Sequence, residues 1–189
     1  MEIERRTFTA NIENLDETRS VKGYASVFNR KSQDLGGFVE IIHENAFADR
    51  LNDDVRALFN HDANLILGRT TSGTLNLFVD NGGLGYEVDF PDTTYANDLL
   101  QSVKRGDVTQ SSFAFTVAKD GDEWRTEGDK IIRIVNRVAQ LYDVSPVTYP
   151  AYTDATAAAR SLKEYVKTKA SATERRAVLE RIRSHRWAD

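Results

Sequence analysis

The chain contains no cysteine. That excludes disulfides, thiolate zinc sites and cysteine nucleophiles, and it suits a reducing cytosol. No apolar run reaches the roughly 18 residues that a membrane span needs, so no membrane partner is expected. Met1-Glu2-Ile3-Glu4-Arg5-Arg6 lacks an apolar stretch, and a secretory signal is not expected either. The nucleophile elbow Gly-x-Ser-x-Gly is missing. So is His-Glu-x-x-His. Asn81-Gly82-Gly83-Leu84-Gly85 is glycine-rich, but no Lys-Ser/Thr follows it, which favours a hairpin turn over a phosphate loop. Aromatic-basic interleaving is absent from the acidic body, so no nucleic-acid partner is expected. Asp89, Asp92 and Asp98 lie near one another in sequence, but nothing beyond that suggests a cation, and no metal or cofactor is expected. Histidine is scarce, with only His43, His61 and His185.

What remains is a chain of 189 residues with enough apolar content for a core. Charge is unevenly spread. From Arg160 onward nine Lys/Arg face four acids, a balance of +5; the whole chain carries -4, so the remainder carries -9. An acidic body with a basic tail suggests an interaction arm, and a solvated amphipathic helix has the same pattern. The expected division is a domain over residues 1–160 and a basic helical tail over 161–189.

The body reads as β-rich. Candidate strands are Ile3 to Ala10, Ser20 to Phe28, Val55 to Phe59, Leu65 to Gly68, Thr74 to Val79, Gly85 to Phe90, Ser111 to Ala118, Lys130 to Val135 and Val138 to Val147. Asn14 to Thr18 reads as a turn. Thr94 to Arg105 spaces Tyr95, Leu99 and Val103 as one helical face, with Gly106 as its stop. His43 to Leu51, Ala155 to Thr168 and Thr173 to His185 are further candidate helices. The fold class is α+β, mainly β, with a barrel-like core decorated by helices.

Within Ser111 to Ala118, Phe113, Phe115 and Val117 alternate onto one face, and Ser112, Ala114 and Thr116 onto the other. The second face is small and partly polar, as a nucleophile requires. A serine hydroxyl needs a base within hydrogen-bond reach, and the base needs a third group to fix its tautomer. His61 ends an apolar run between Asn60 and Asp62, and imidazole's ordinary pKa of about 6.5 suits a base. His43 reads as a surface or substrate-edge residue, and His185 as part of a solvated face. Asp143 lies in the apolar segment Leu141 to Val147, where a carboxylate needs a partner. A histidine, Arg137 or backbone amides would each serve. Ser145 shares its face and could join a hydrogen-bond network.

These pieces occur in an ordered series. Gly23-Tyr24-Ala25-Ser26-Val27-Phe28 comes first, then Glu40-Ile41-Ile42 with Asn45-Ala46-Phe47. Next come Val55-Arg56-Ala57-Leu58-Phe59-Asn60-His61-Asp62 with Leu67-Gly68-Arg69, and Ala96-Asn97-Asp98-Leu99 through Gly106-Asp107 to Ser112-Phe113-Ala114-Phe115. Leu141-Tyr142-Asp143-Val144-Ser145-Pro146-Val147-Thr148-Tyr149-Pro150-Ala151-Tyr152 closes the series. From about Gly23 to Arg160 the chain resembles the caudovirus prohead serine protease family, which is similar to herpesvirus assemblin. The resemblance implies a closed β-barrel ringed by helices. It implies His61 as base, Ser112, the serine before the Phe, as nucleophile, and an acid as third member. That acid is often Glu in the family; here it is Asp143, one methylene shorter. Gly68 and Arg69 are candidate oxyanion donors, since a glycine lets backbone approach closely.

The resemblance further implies a serine endopeptidase of head maturation. It would work in the host bacterial cytoplasm inside the phage procapsid. Its partners would be the major capsid protein and a scaffold protein or scaffolding domain, and it would cleave the scaffold and itself. A homodimer is also suggested. The alternative is a non-catalytic scaffold or decoration protein on the same fold. A small-ester hydrolase is a third reading, against which the missing elbow counts.

Overall fold

The computed structural model describes residues 3–8, 12–15, 18–128, 130–149 and 155–168. The elements are β1 (Glu4–Phe8), β2 (Glu13–Asn14), β3 (Ser20–Val27), β4 (Val39–Ile42), β5 (Arg56–Phe59), β6 (Asp62–Arg69), β7 (Leu75–Val79), β8 (Gly83–Asp89), α1 (Thr94–Arg105), β9 (Gln110–Val117), β10 (Asp122–Glu127), β11 (Lys130–Val135), β12 (Val138–Val147) and α2 (Ala155–Thr168). The strands form three sheets, ordered β1-β9-β12-β5-β6, β2-β3-β8-β7 and β10-β11-β4.

The expected closed, helix-ringed barrel is not formed. All three sheets are open among the described residues, whose regular structure is mainly strand. After β6 the chain makes a 3-10 turn at Thr70–Ser72, and Gly73 follows in the left-handed region at φ 71°. β7 therefore enters the four-stranded sheet rather than extending the five-stranded one. The two helices described do not ring a common core. Ala96, Leu99, Leu100 and Val103 of α1 join the large cluster, whereas Leu162 and Tyr165 of α2 join a smaller one.

The large core lies between the five- and four-stranded sheets. Phe113, Phe115, Leu141, Val144 and Ala57 come from one sheet, and Val21, Ala25, Leu84, Tyr86 and Val88 from the other. Phe113 also meets Phe47 edge-on, with ring centroids 5.5 Å apart. Removing this apolar surface from water is the main force holding the sheets together. The smaller cluster packs α2 on the sheet of β10, β11 and β4 through Leu35, Phe38, Ile131, Leu162 and Tyr165.

Local sequence explains much of this. α1 spans the expected residues, and Gly106 at φ 82° closes it in the left-handed conformation that glycine adopts at least cost. His43 to Leu51 is not a helix. Three-residue hydrogen bonds, such as Ala46 N–H to the His43 carbonyl and Arg50 N–H to the Phe47 carbonyl, make it a succession of turns that buries Ala46 and Phe47. α2 runs through the expected 160/161 boundary. The expected helix Thr173 to His185 lies outside the described residues.

Candidate active site

β9 is the second strand of the five-stranded sheet, and its two adjacent serines face opposite ways. Ser111 turns toward the four-stranded sheet, where its Oγ lies 2.8 Å from the Tyr86 Oη. Burial pushes the Tyr86 phenol well above its ordinary pKa, and the Ser111 contact offsets this only in part. Ser112 takes the other face. In β12 it stands opposite Ser145, and in β1 opposite Thr7.

β5 runs parallel to β12 and antiparallel to β6, and Phe59 pairs with Asp62. The hairpin between them therefore has two central residues, Asn60 and His61. Both have positive φ, 54° and 59°. This is the two-residue hairpin turn whose twist matches the flanking strands, and Asn is among the residues that accept it readily. Its tip carries His61 over β12 to β9.

There the three side chains meet. The His61 Nε2 is 2.7 Å from the Ser112 Oγ, and the His61 Nδ1 is 2.6 Å from the Asp143 Oδ1. A carboxylate only accepts, so Nδ1 carries the proton donated to Asp143, and the Nε2 lone pair faces the serine hydroxyl. The Ser145 hydroxyl donates to the same Asp143 Oδ1 at 2.7 Å. Asp143 thus finds its partners in His61 and Ser145. Arg137 instead donates to the Lys119 carbonyl.

A second acceptor also faces Ser112. The Arg6 carbonyl of β1 lies 2.9 Å from its Oγ. One hydroxyl proton serves one acceptor at a time. With neutral His61, Nε2 competes for it. With protonated His61, Nε2 becomes a donor and the proton turns to Arg6. Ser112 is fully buried.

β1 is held by a buried cluster of charges. Arg6 donates to Glu40 at 2.7 Å and to Glu4 at 2.5 Å. Arg133 of β11 donates to Glu4 at 2.7 Å and to Glu40 at 3.0 Å, and its Nε reaches Asp122 at 2.9 Å. Burial drives the Glu4 carboxyl upward, but Arg133 and Arg6 outweigh it and leave the group below its ordinary value. The sequence reading missed this cluster. A charged residue at alternate positions of a strand reads as a solvated face until its neighbours are known.

The structure does not bring Gly68 and Arg69 to the serine. Both lie in β6, three strands from β9, which is about 14 Å at ordinary strand spacing. The Arg69 N–H already donates to the Thr74 Oγ1, and its guanidinium binds Asp54 at 2.7 Å. The glycine at 68 has a packing reason. A Cβ there would lie 2.6 Å from the Val88 Cγ2 and 2.7 Å from the Thr74 carbonyl oxygen. His43 follows β4, and its Nδ1 accepts the Asn45 N–H at 3.2 Å. His185 lies outside the described residues. Asp89 pairs with Ser20, and Asp92 with Asn97 and Arg19. Among the described residues no group of three His, Cys, Asp or Glu is placed to hold a metal ion.

A family model described as Caudovirus prohead serine protease matches residues 6–169. Neither a curated protein nor a solved structure matches the chain significantly.

Proposed function

The chain belongs to the caudovirus prohead serine protease family, and from that premise we propose a serine endopeptidase with Ser112, His61 and Asp143 as its catalytic residues. One observation carries the reading: the continuous relay from the Asp143 carboxylate through both nitrogens of His61 to the Ser112 hydroxyl.

His61 Nε2 accepts the hydroxyl proton as the Ser112 Oγ attacks the scissile carbonyl. Asp143 holds the imidazole in the working tautomer and stabilises its charged form. The proton then passes to the leaving amine, and the ester formed on Ser112 is hydrolysed by a water that His61 deprotonates. Donors to the tetrahedral oxyanion commonly supply about 3–4 kcal/mol of barrier reduction. Gly68 and Arg69 are not carried forward in that role.

The enzyme acts inside the procapsid, on a scaffold protein or the scaffolding domain of the capsid protein, and on itself. The basic tail serves as a docking or self-cleavage segment. Because Leu162 and Tyr165 of α2 are buried, a deletion that probes this role begins after Thr168 rather than Arg160. Unchanged incorporation of that truncated chain into proheads would remove the docking role.

The test is co-expression with the cognate capsid and scaffold proteins, wild type beside Ser112→Ala, read by intact mass. Cleavage in wild type that vanishes in the variant, with heads still assembled, is the expected result. Equal cleavage in both removes Ser112 as nucleophile. Assembly without cleavage in either turns the reading to a non-catalytic assembly protein.

A further inference from the structure

The geometry points to Asn60 as a positioning residue of this site, locking the His61 hairpin onto the end of the strand that carries Asp143. The inference deepens the protease reading and rests on it.

Two features of Asn60 are separable. Its backbone occupies the left-handed region at φ 54°, which the two-residue turn demands. Its polar groups reach across to β12 and the residues just beyond. The Asn60 N–H donates to the Pro146 carbonyl at 3.0 Å. Its Oδ1 accepts the Thr148 N–H at 2.9 Å, and its Nδ2 donates to the Thr148 Oγ1 at 3.2 Å.

Those contacts matter because of where they fall. β5 has only four residues, and its register with β12 is fixed at Asp143–Arg56 and Val144–Ala57. The β5–β6 ladder is irregular between Ala57 and Phe59. The β5–β12 pairing thus stops short of the hairpin tip, and the β5–β6 pairing that closes the turn is irregular. The Asn60 clamp restores a connection there, one residue before His61 and five after Asp143. The distance between imidazole and carboxylate is then set by a short closed circuit: Asn60, Thr148, back along β12 to Asp143, and across to His61. A serine-histidine relay loses rate steeply when its geometry slackens, by up to about a hundredfold for a displacement of about 1 Å.

Asn60→Gly separates the two features, since glycine accepts the left-handed turn and removes the side-chain clamp. Asn60→Asp keeps the turn and the acceptor for the Thr148 N–H. Thr148→Val removes only the Oγ1. The readouts are acylation by p-nitrophenyl acetate across pH, the melting temperature, and the low-field proton resonance of the His61 Nδ1–H bonded to Asp143. Asn60→Gly is expected to lower the acylation rate about tenfold, with KM for the ester unchanged and the low-field resonance broadened away. Asn60→Asp is expected to recover most of the rate and the resonance. Wild-type acylation and an intact resonance in Asn60→Gly would overturn the inference. If that variant does not fold, Thr148→Val decides, with an expected loss of about threefold against none. If the wild type does not react with the ester, the co-expression experiment decides the protease reading, and the resonance alone tests the clamp.

Discussion

At the scale of single residues, Ser111 and Ser112 show how one position along a strand turns a side chain from the core to the His61 contact. The alternation in β9 was legible from sequence, because Phe113 and Phe115 mark the core face and Ser111 shares it. Replacing Ser111 by Ala leaves the buried Tyr86 hydroxyl without this partner. The expected cost is about 2 kcal/mol in urea unfolding, with acylation within about twofold of wild type. Ser112→Ala is expected to abolish acylation with little loss of stability. Asp143→Asn keeps the shape but favours the wrong imidazole tautomer, and its turnover is expected to fall by about ten thousandfold, measured on the same ester. Ser112, His61 and Asp143 were singled out through the ordered motifs that carry the family resemblance, whereas residue pattern alone left the partner of Asp143 open. The roles of Asn60 and the Arg6 carbonyl could not be read so, because they depend on β5 lying parallel to β12 and β1 lying against β9. Gly68 was misread for a related reason: the neighbour that requires a glycine, Val88, comes from another sheet.

At the scale of elements, the strands that sequence revealed are those with apolar alternation or apolar runs, such as β3, β8, β9 and β12. β10 escaped because Asp-Glu-Trp-Arg-Thr-Glu offers only one apolar side chain and no pattern. β4 escaped because its four residues, directly before the candidate helix at His43, are too few to show an alternation. β1 was found as a strand, yet what fastens it was not. An edge strand of five residues has weak pairing of its own. The ionic cluster adds bonds from Glu4 and Arg6 to β4 and β11, so the strand whose carbonyl faces Ser112 is tied to a second sheet. Arg133→Met leaves Glu4 and Glu40 with Arg6 as their one remaining arginine in the cluster. The expected destabilisation is about 3–5 kcal/mol by chemical denaturation. Acid acts on the same cluster. The Glu4 carboxyl titrates below the 4.5 of the unfolded chain, so the stability it contributes is complete above that pH and is lost as pH falls through its lower folded value. Glu4→Gln lacks this dependence. Its stability is therefore expected to fall less steeply than that of wild type below pH 4.5, in unfolding curves taken at successive pH values.

At the scale of the whole molecule, the many short strands suggested a barrel-like core and likeness to assemblin its closure, and the count of strands could not correct either. Strand number is a local property, whereas closure depends on which edges pair. β6 and β7 are consecutive yet lie in different sheets. The resulting architecture has two hydrophobic clusters with different duties. The large one holds β9, β12 and β5 in place, and with them the site. The small one docks α2, through Leu162 and through Tyr165 stacked on Trp124 with centroids 4.8 Å apart and planes at 10°. The sheet beneath α2 reaches Ser112 by way of Arg133, Glu4 and β1, and none of these groups depends on Leu162 for its bonds. Leu162→Ala removes about 2–5 kcal/mol of packing from the small cluster. If the clusters are separable, amide exchange quickens in α2 while the amides of β9 and β12 keep their protection and ester acylation stays within about twofold of wild type. If β9 and β12 lose protection together with α2, the two clusters unfold as one unit, and the division of labour between them is wrong.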